Sequence, residues 1–178
     1  MSERVETVTL GGGCFWCTEA VYERVRGVKA VESGYSNGHV DRPSYEQVCG
    51  GDTGHAEVVR VSFDPEQITL REILEIFFVV HDPTQLNRQG NDTGTQYRSG
   101  IYFHSPEQEK VAREVLAEVD ELHRGRAVTE VLPETNYSRA EAYHQHYLAN
   151  HPNQGYCAMV VAPKVEKFRK TFGARVAA

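Results

Sequence analysis

Two cysteines, Cys14 and Cys17, stand three residues apart in the stretch GGGCFWCTEAVYERVRG. A phenylalanine and the chain's one tryptophan lie between them, and three glycines precede them. A thiol in the first turn of a helix faces free backbone N–H groups and the positive end of the helix dipole, which both favour the thiolate. We therefore expect Cys14 to be a nucleophile, with Cys17 one turn later and close enough for a disulfide.

The neighbouring residues predict the elements that position this pair. Residues 5–10 alternate apolar and polar side chains, as in a half-buried strand, and glycines 11–13 end that strand in a tight turn. Apolar residues then recur near the helical period, and Gly27 is placed as a C-terminal cap. The order is strand, glycine turn and helix, with Cys14 in the first helical turn.

A carboxylate stands out in the stretch HAEVVRVSF at residues 55–63. Alternation along a strand puts Glu57 on the same face as Val59, Val61 and Phe63. A carboxyl group on an apolar face is either held by hydrogen bonds or has a raised pKa that suits a general acid near neutral pH. Both interpretations of Glu57 stay open from the strand pattern alone.

The rest of the chain predicts one layered α+β domain over residues 1–178, because strands and helices mix without strict βαβ alternation. Helices are predicted from Thr69, from Ser105, and from a cap at residues 138–141 through Tyr147. Residues 82–100 lack apolar periodicity, and a loop that long is usually functional. The C-terminal part is predicted to be long and rich in loops, with 150–178 a mobile segment that carries Cys157.

Composition excludes several classes of partner. The net charge of −6 and the pI near 5.8 argue against binding to nucleic acid or to an anionic membrane surface. No apolar stretch is long enough to cross a bilayer, and the first residues lack the pattern of a signal peptide. We therefore expect a cytoplasmic protein, and in a reducing compartment a CxxC pair is more often redox-active or metal-binding than structural.

The cysteine pair and its aromatic neighbours also have plainer interpretations. Cys14 and Cys17 fit half a zinc site completed by Cys49, Cys157 or a histidine, although no second CxxC or HxxxH follows. Phe15 and Trp16 cannot both bury from a short turn, so at least one ring is expected beside the thiol as an apolar pocket. The alternative is that both rings belong to the core.

Four motifs, taken in order, resemble the A type of the peptide methionine sulfoxide reductase family. They are GGCFWCTEA at 12–20, SYEQVCGGDTGHAEVVRVSFDP at 44–65, HDPTQLNRQGNDTGTQYRSGIYF at 81–103 and NQGYC at 153–157. The resemblance covers nearly the whole chain. It implies a two-layer α+β sandwich with a mixed sheet and helices packed on it. It also implies reduction of methionine S-sulfoxide, free or in proteins, as repair of oxidative damage, without a metal or another cofactor.

The resemblance also assigns roles to single residues. The cysteine that attacks the sulfoxide sulfur is Cys14, and the glutamate that gives a proton to the sulfoxide oxygen is Glu57. The substrate-binding residues that it implies are two aromatic side chains around the methyl group and three polar ones around the oxygen: Phe15, Trp16, Tyr45, Asp92 and Tyr97. For each tyrosine taken alone, a structural role is the better interpretation.

The resolving thiol is the point where the chain departs from the simplest family members, many of which have glycine at the position of Cys17. Attack on the sulfoxide leaves a sulfenic acid on Cys14, which a second thiol converts to a disulfide that a thioredoxin-like dithiol then reduces. The GYC motif favours Cys157 as the first resolving thiol, with Cys17 in a later exchange. The short distance within a CxxC pair favours Cys17 instead, and both orders stay open. Cys49 is expected outside this relay, and His144 and His146 at the surface or behind the site.

Two other functions remain as alternatives at this stage. A thioredoxin-like oxidoreductase would also use Cys14 and Cys17, but its shorter chain would not contain the long polar loop at residues 82–100. A module that binds zinc or oxidised methionine without catalysis is the third hypothesis. Metal analysis tests the zinc hypothesis, and loss of free thiol on adding methionine sulfoxide distinguishes an enzyme from a binding module.

Overall fold

The computed structural model describes residues 4–151 and 154–173, without the side chains of residues 157 and 158. The strands are β1 (Glu6–Gly11), β2 (Val28–Ser36), β3 (Ala56–Phe63), β4 (Arg88–Gln89), β5 (Asp92–Thr93), β6 (Gly100–Phe103), β7 (Glu130–Pro133) and β8 (Ser138–Arg139). The α-helices are α1 (Phe15–Tyr22), α2 (Tyr45–Cys49), α3 (Leu70–Val80), α4 (Pro106–Leu122), α5 (Tyr147–Asn150) and α6 (Ala162–Thr171). A π-helical turn, Cys157–Val161, leads into α6.

A six-stranded mixed sheet forms the centre of the fold, in the order β7-β6-β1-β3-β2-β8. The pair β6 and β7 is parallel, and the other four pairs are antiparallel. Strands β4 and β5 form a separate hairpin inside the segment 82–100. The predicted α+β class with a mixed sheet is confirmed.

The main core lies between one face of this sheet and the helices. Val59, Val61 and Phe63 of β3 are fully buried there. Helix α1 packs on β2 and β3, and α6 packs against both α1 and α3. The opposite face is closed by polar and aromatic side chains. There, Arg60 lies 3.6 Å from the centre of the Tyr137 ring and is hydrogen-bonded to Glu134. The chain is therefore a two-layer sandwich.

Helix starts follow the capping signals in the sequence. The Thr69 hydroxyl accepts a hydrogen bond from the Glu72 N–H, and the Glu72 carboxylate accepts one from the Thr69 N–H. Ser105 caps α4 through the Gln108 N–H, with proline in the first turn. Such reciprocal caps satisfy N–H groups that have no partner within the helix, so local chemistry fixes these boundaries.

The predicted helix over residues 138–147 is wrong. Residues 138 and 139 form β8, which pairs with β2, and α5 starts only at Tyr147. The reason is the Glu141 carboxylate, which accepts hydrogen bonds from the Tyr35 hydroxyl and the Tyr45 backbone N–H, both at 2.9 Å, and does not cap a helix. Contacts with distant residues have overridden a local capping pattern.

The C-terminal region contributes a helix to the core. Val165 and Phe168 of α6 are buried, and α6 packs against α1 and α3. In the described part of the chain, no helix is both long and apolar enough to cross a membrane.

Candidate active site

Cys14 lies in the short connection between the end of β1 and the start of α1. It is the N-cap residue, with φ −63° and ψ 128°, and the helix proper begins at Phe15. Gly13 before it has φ +96°, and a Cβ there would lie 2.8 Å from the Gln89 side chain. A residue with a side chain would be strained at this position, so glycine lets the strand turn sharply into the helix.

The protonation of Cys14 differs from the prediction. The Trp16 N–H at the helix start does lower its pKa, but burial, a hydrogen bond with Cys17 and the charge of Glu57 all raise it, and the pKa lies well above the usual range. The predicted preference of Cys14 for the thiolate form is therefore wrong for the protein without substrate. Cys14 is 8% exposed, and desolvation outweighs the helix dipole.

Cys17 carries the opposite shift. Its pKa is lowered, first by the hydrogen bond from the Cys14 thiol and then by the positive charge of Lys164 and by the Tyr156 hydroxyl, which lies 4.0 Å from Sγ. Burial and the charge of Asp92 act against this lowering. Cys14 is therefore the thiol that holds its proton more tightly, and Cys17 is the more acidic thiol of this buried, hydrogen-bonded pair.

Glu57 lies beside this pair, on the helix-covered face of the sheet as predicted. The carboxyl group is 1% exposed, and its Oε1 accepts a hydrogen bond of 3.2 Å from the Phe15 backbone N–H. Its Oε2 is buried and has no hydrogen-bond partner among the described residues. Burial raises the pKa of Glu57 to about 8, with smaller contributions from the charges of Asp92 and Cys17. Of the two predicted alternatives, the raised pKa applies, and Glu57 holds a proton at neutral pH.

The two aromatic residues after Cys14 divide as predicted. The Phe15 ring is fully buried, whereas the Trp16 ring is only partly buried and packs against the edge of the main core. The Trp16 ring stacks on Tyr147 with a centroid distance of 3.8 Å, and Tyr156 meets it edge-on at 5.7 Å. These contacts form an apolar wall next to the Cys14 thiol.

His144 anchors the indole of Trp16. The Trp16 Nε1–H donates a hydrogen bond of 3.0 Å to the His144 Nδ1, and burial lowers the pKa of His144. Neutral His144 therefore carries its proton on Nε2, which is buried without a partner in the described part of the chain. The ring also packs against Phe15 and Tyr45. His144 is fully buried behind the site, and the predicted alternative of a surface position is wrong for it.

Three predicted polar residues come together near Glu57. Burial raises the pKa values of Tyr45 and Tyr97, and the nearby charge of Glu57 raises both further, so these phenols keep their protons as donors. Asp92 accepts a hydrogen bond of 2.5 Å from the Tyr156 hydroxyl. The two tyrosines and Asp92 thus lie near enough to Glu57 to interact with its charge, and the two phenols are protonated.

Sequence reasoning missed Tyr147 and Tyr156. Tyr156 contacts Cys17, Asp92 and Trp16, although it lies far from all three in the sequence. Its position directly before Cys157 in the GYC motif was the one available signal. Tyr147 offered no signal, because stacking on Trp16 depends on how the chain returns to α1.

The remaining cysteines are separate from this cluster or outside the described atoms. Cys49 is an exposed free thiol at the end of α2, next to the Tyr45 hydroxyl. The side chain of Cys157 lies outside the described part of the structure, so its role stays a prediction.

The zinc hypothesis for the cysteine pair can be compared only with the described side chains, which do not include that of Cys157. Among the side chains that the structure describes, one group of three potential metal ligands has its ligand atoms within 4.8 Å of one another. The group consists of Glu19, Glu23 and His146. No cysteine belongs to it.

Comparison with known proteins agrees with this geometry. Residues 6–176 match the sequence model of the family described as peptide methionine sulfoxide reductase. The peptide methionine sulfoxide reductase MsrA of Polynucleobacter asymbioticus is 55% identical over 97% of this chain and 92% of its own. Among solved structures, reduced Mxr1 from Saccharomyces cerevisiae aligns with a TM-score of 0.80 and 41% identity, over 86% of this chain and 90% of its own. Mxr1 in complex with Trx2 aligns with a TM-score of 0.57 and 28% identity, over 83% and 87% of the two chains.

Proposed function

The chain belongs to the peptide methionine sulfoxide reductase family, and from this premise we propose that it reduces the S epimer of methionine sulfoxide, free or in proteins. The observation that carries the proposal is Glu57, a buried carboxyl group with one free oxygen and a raised pKa beside the Cys14 thiol. A sulfoxide oxygen needs a proton as its bond to sulfur breaks, and Glu57 holds one there.

The apolar wall and the polar residues divide the recognition of the substrate. We assign the methyl group to Phe15 and Trp16, because an apolar group gains free energy by leaving water there. The oxygen faces Glu57, Tyr45 and Tyr97, whose O–H groups stabilise charge as it develops. We assign Asp92 to the same polar wall, where it accepts a hydrogen bond from Tyr156.

The first step uses the hydrogen bond of the cysteine pair. As Cys14 attacks the sulfoxide sulfur, its proton passes along the existing hydrogen bond to Cys17, and Glu57 protonates the oxygen. The attack forms a bond between the Cys14 sulfur and the substrate sulfur. The protonated oxygen then passes as a hydroxyl group to the Cys14 sulfur, the substrate sulfur–oxygen bond and the new sulfur–sulfur bond break, and methionine leaves. Methionine sulfur gains two electrons, and Cys14 becomes a sulfenic acid that carries the oxygen.

A second thiol and an external dithiol complete the cycle. Cys157 or Cys17 attacks the Cys14 sulfenic acid, water leaves and a disulfide forms. A thioredoxin-like protein then reduces this disulfide, a partner that fits the complex of the related Mxr1 with Trx2. We place the reaction in the cytoplasm, since such a relay needs a reducing compartment. We also propose that residues 1–178 act as one domain.

The choice of epimer tests the proposed function. With dithiothreitol as reductant, we expect turnover of the S epimer and at least about a hundredfold slower turnover of the R epimer. A pocket that holds both the methyl group and the oxygen of the sulfoxide accepts only one configuration at the sulfur atom. The measurement is methionine formed from each purified epimer, and equal rates for the two would contradict the proposal.

His144 offers a prediction on substrate binding. His144→Phe keeps a ring but removes the acceptor of the Trp16 N–H, a hydrogen bond with a net free energy of about 0.5–1.5 kcal/mol. We expect KM to rise about two- to tenfold, with a smaller change in kcat. His144→Asn is the matched control, because its amide oxygen can replace Nδ1 as the acceptor.

The chain's one tryptophan gives this experiment an independent readout. Its fluorescence reports directly on the Trp16 ring, and we expect an altered emission in His144→Phe that His144→Asn largely restores. Unchanged emission and KM in His144→Phe would remove His144 from the positioning of the pocket.

A further inference from the structure

Lys164 faces the buried Cys17 thiol from α6. Both side chains line one enclosed cavity of about 10 Å³, between α1 and α6, together with Gly12, Thr18 and Phe77. A cavity of this size has room for about one water molecule, so bulk solvent does not fill the space between the two side chains. A charge interaction across such a space is only weakly screened.

Lys164 has no competing partner in the described part of the chain. It is half-buried, and none of the described carboxylates lies within ion-pair distance of its ammonium group. His81 also lines the cavity, but burial lowers its pKa to about 4, so it is neutral at pH 7. The ammonium of Lys164 is thus the positive charge that faces Cys17 in this cavity.

Other groups around Cys17 do not provide that charge. Cys14 approaches the Cys17 sulfur as a neutral hydrogen-bond donor, the Tyr156 hydroxyl donates its proton to Asp92, and the negative charge of Asp92 works against a thiolate. A half-buried lysine without an ion-pair partner loses hydration unless something nearby compensates. A thiolate at Cys17 is the one partner of opposite charge that the side chains lining this cavity could offer the ammonium group.

We propose that Lys164 is a positioning residue that holds Cys17 as a thiolate, and that Cys17 is therefore the first thiol to resolve the Cys14 sulfenic acid. This inference rests on the proposed function and reverses the order that the GYC motif favours. Cys17 is already in hydrogen-bond contact with Cys14, so resolution needs no movement of a distant segment.

The Cys17 thiol, protonated during the first step, loses its proton with the help of the Lys164 charge. The thiolate attacks the Cys14 sulfur, a sulfur–sulfur bond forms and the sulfur–oxygen bond of the sulfenic acid breaks. The departing hydroxide takes up a proton and leaves as water. Cys17 is oxidised and the Cys14 sulfenic acid is reduced to the disulfide level.

The first experiment measures the Cys17 proton without any substrate. In a background of Cys14→Ser, Cys49→Ser and Cys157→Ser, Cys17 is the one remaining thiol, and its ultraviolet thiolate absorbance is titrated against pH. We expect Lys164→Met to raise the apparent pKa, and Lys164→Arg to restore it. Lys167→Met, an exposed lysine on the same helix, is the control and should leave the titration unchanged.

The second experiment follows one turnover in the chain with all four cysteines. One equivalent of sulfoxide is added, thiols are trapped in acid, and the first disulfide is mapped. We expect Cys14–Cys17 first, and formation about tenfold slower in Lys164→Met, since the thiolate fraction falls about tenfold per pKa unit. Lys164→Arg should recover the rate.

The two experiments separate this inference from the proposed function. Absence of methionine in the single turnover would contradict the proposed function, while the titration still tests the link between Lys164 and Cys17. A first product of Cys14–Cys157 would overturn the inference. So would a titration of Cys17 that Lys164→Met leaves unmoved.

Discussion

Cys14→Ser is expected to abolish reduction of methionine S-sulfoxide. A serine hydroxyl stays protonated at neutral pH even at a helix start, and it is a far weaker nucleophile toward sulfur than a thiolate. The loss should reach at least about 10⁴-fold in single-turnover methionine formation, because the variant lacks the nucleophile that forms the bond to the sulfoxide sulfur while Glu57 stays in place. The assay measures methionine released with dithiothreitol in excess.

Cys49→Ser is the matched control for this variant. Cys49 is an exposed free thiol at the end of α2, and its loss should leave turnover within about twofold. Both variants replace a thiol by a hydroxyl group, so a difference between them shows that the effect depends on where the cysteine lies in the fold. Appreciable turnover by Cys14→Ser would disprove the assignment of Cys14 as the nucleophile.

Glu57→Gln is expected to slow the reductive step by about 10²- to 10⁴-fold while substrate binding stays roughly intact. Glutamine keeps the size of the side chain and can still accept the Phe15 N–H bond, but it has no acidic proton to give. Glu134→Gln is the control, because Glu134 is a mostly buried carboxylate that bonds Arg60 on the other face of the sheet. A single-turnover rate of Glu57→Gln within a few fold of the unmodified chain would remove Glu57 from catalysis.

The pH dependence of the same step gives a second test of Glu57. Its pKa of about 8 means that the proton is present at pH 7 and is lost as the pH rises through about 8. The single-turnover rate of the unmodified chain should therefore fall on the alkaline side of about pH 8, and Glu57→Gln should lack that fall. A rate that stays constant through this range would show that the group supplying the proton is not Glu57.

The sequence predicts the part of the site that local patterns determine. Strand alternation places Glu57 on the buried face, and the order of strand, glycines and helix places Cys14 at the start of α1. Both follow from periodicities that act over a few residues. The four motifs together predict the family because each is a short run of residues that can be read directly from the sequence.

The rest depends on contacts between distant parts of the chain. His144 and Tyr147 reach Trp16 across 128 and 131 residues of sequence, and Glu141 leaves its predicted capping role for Tyr35 and Tyr45. The pKa of Cys14 is the clearest case, because the start of a helix can be predicted from the sequence, whereas the burial of the thiol and the opposite pKa shift of Cys17 cannot. Such pKa shifts depend on contacts that form only in the folded chain.

Keeping a proton on Glu57 also has a consequence for the stability of the fold. The carboxyl group has a pKa of about 8 in the folded chain and an ordinary value of 4.5 in the unfolded chain. Between these values the folded state binds a proton that the unfolded state has released, so the contribution of Glu57 to the free energy of unfolding falls as the pH rises. The slope reaches about 1.4 kcal/mol per pH unit and levels off above about pH 8. The pH at which the proton donor is used up is thus also the pH at which its burial destabilises the protein most.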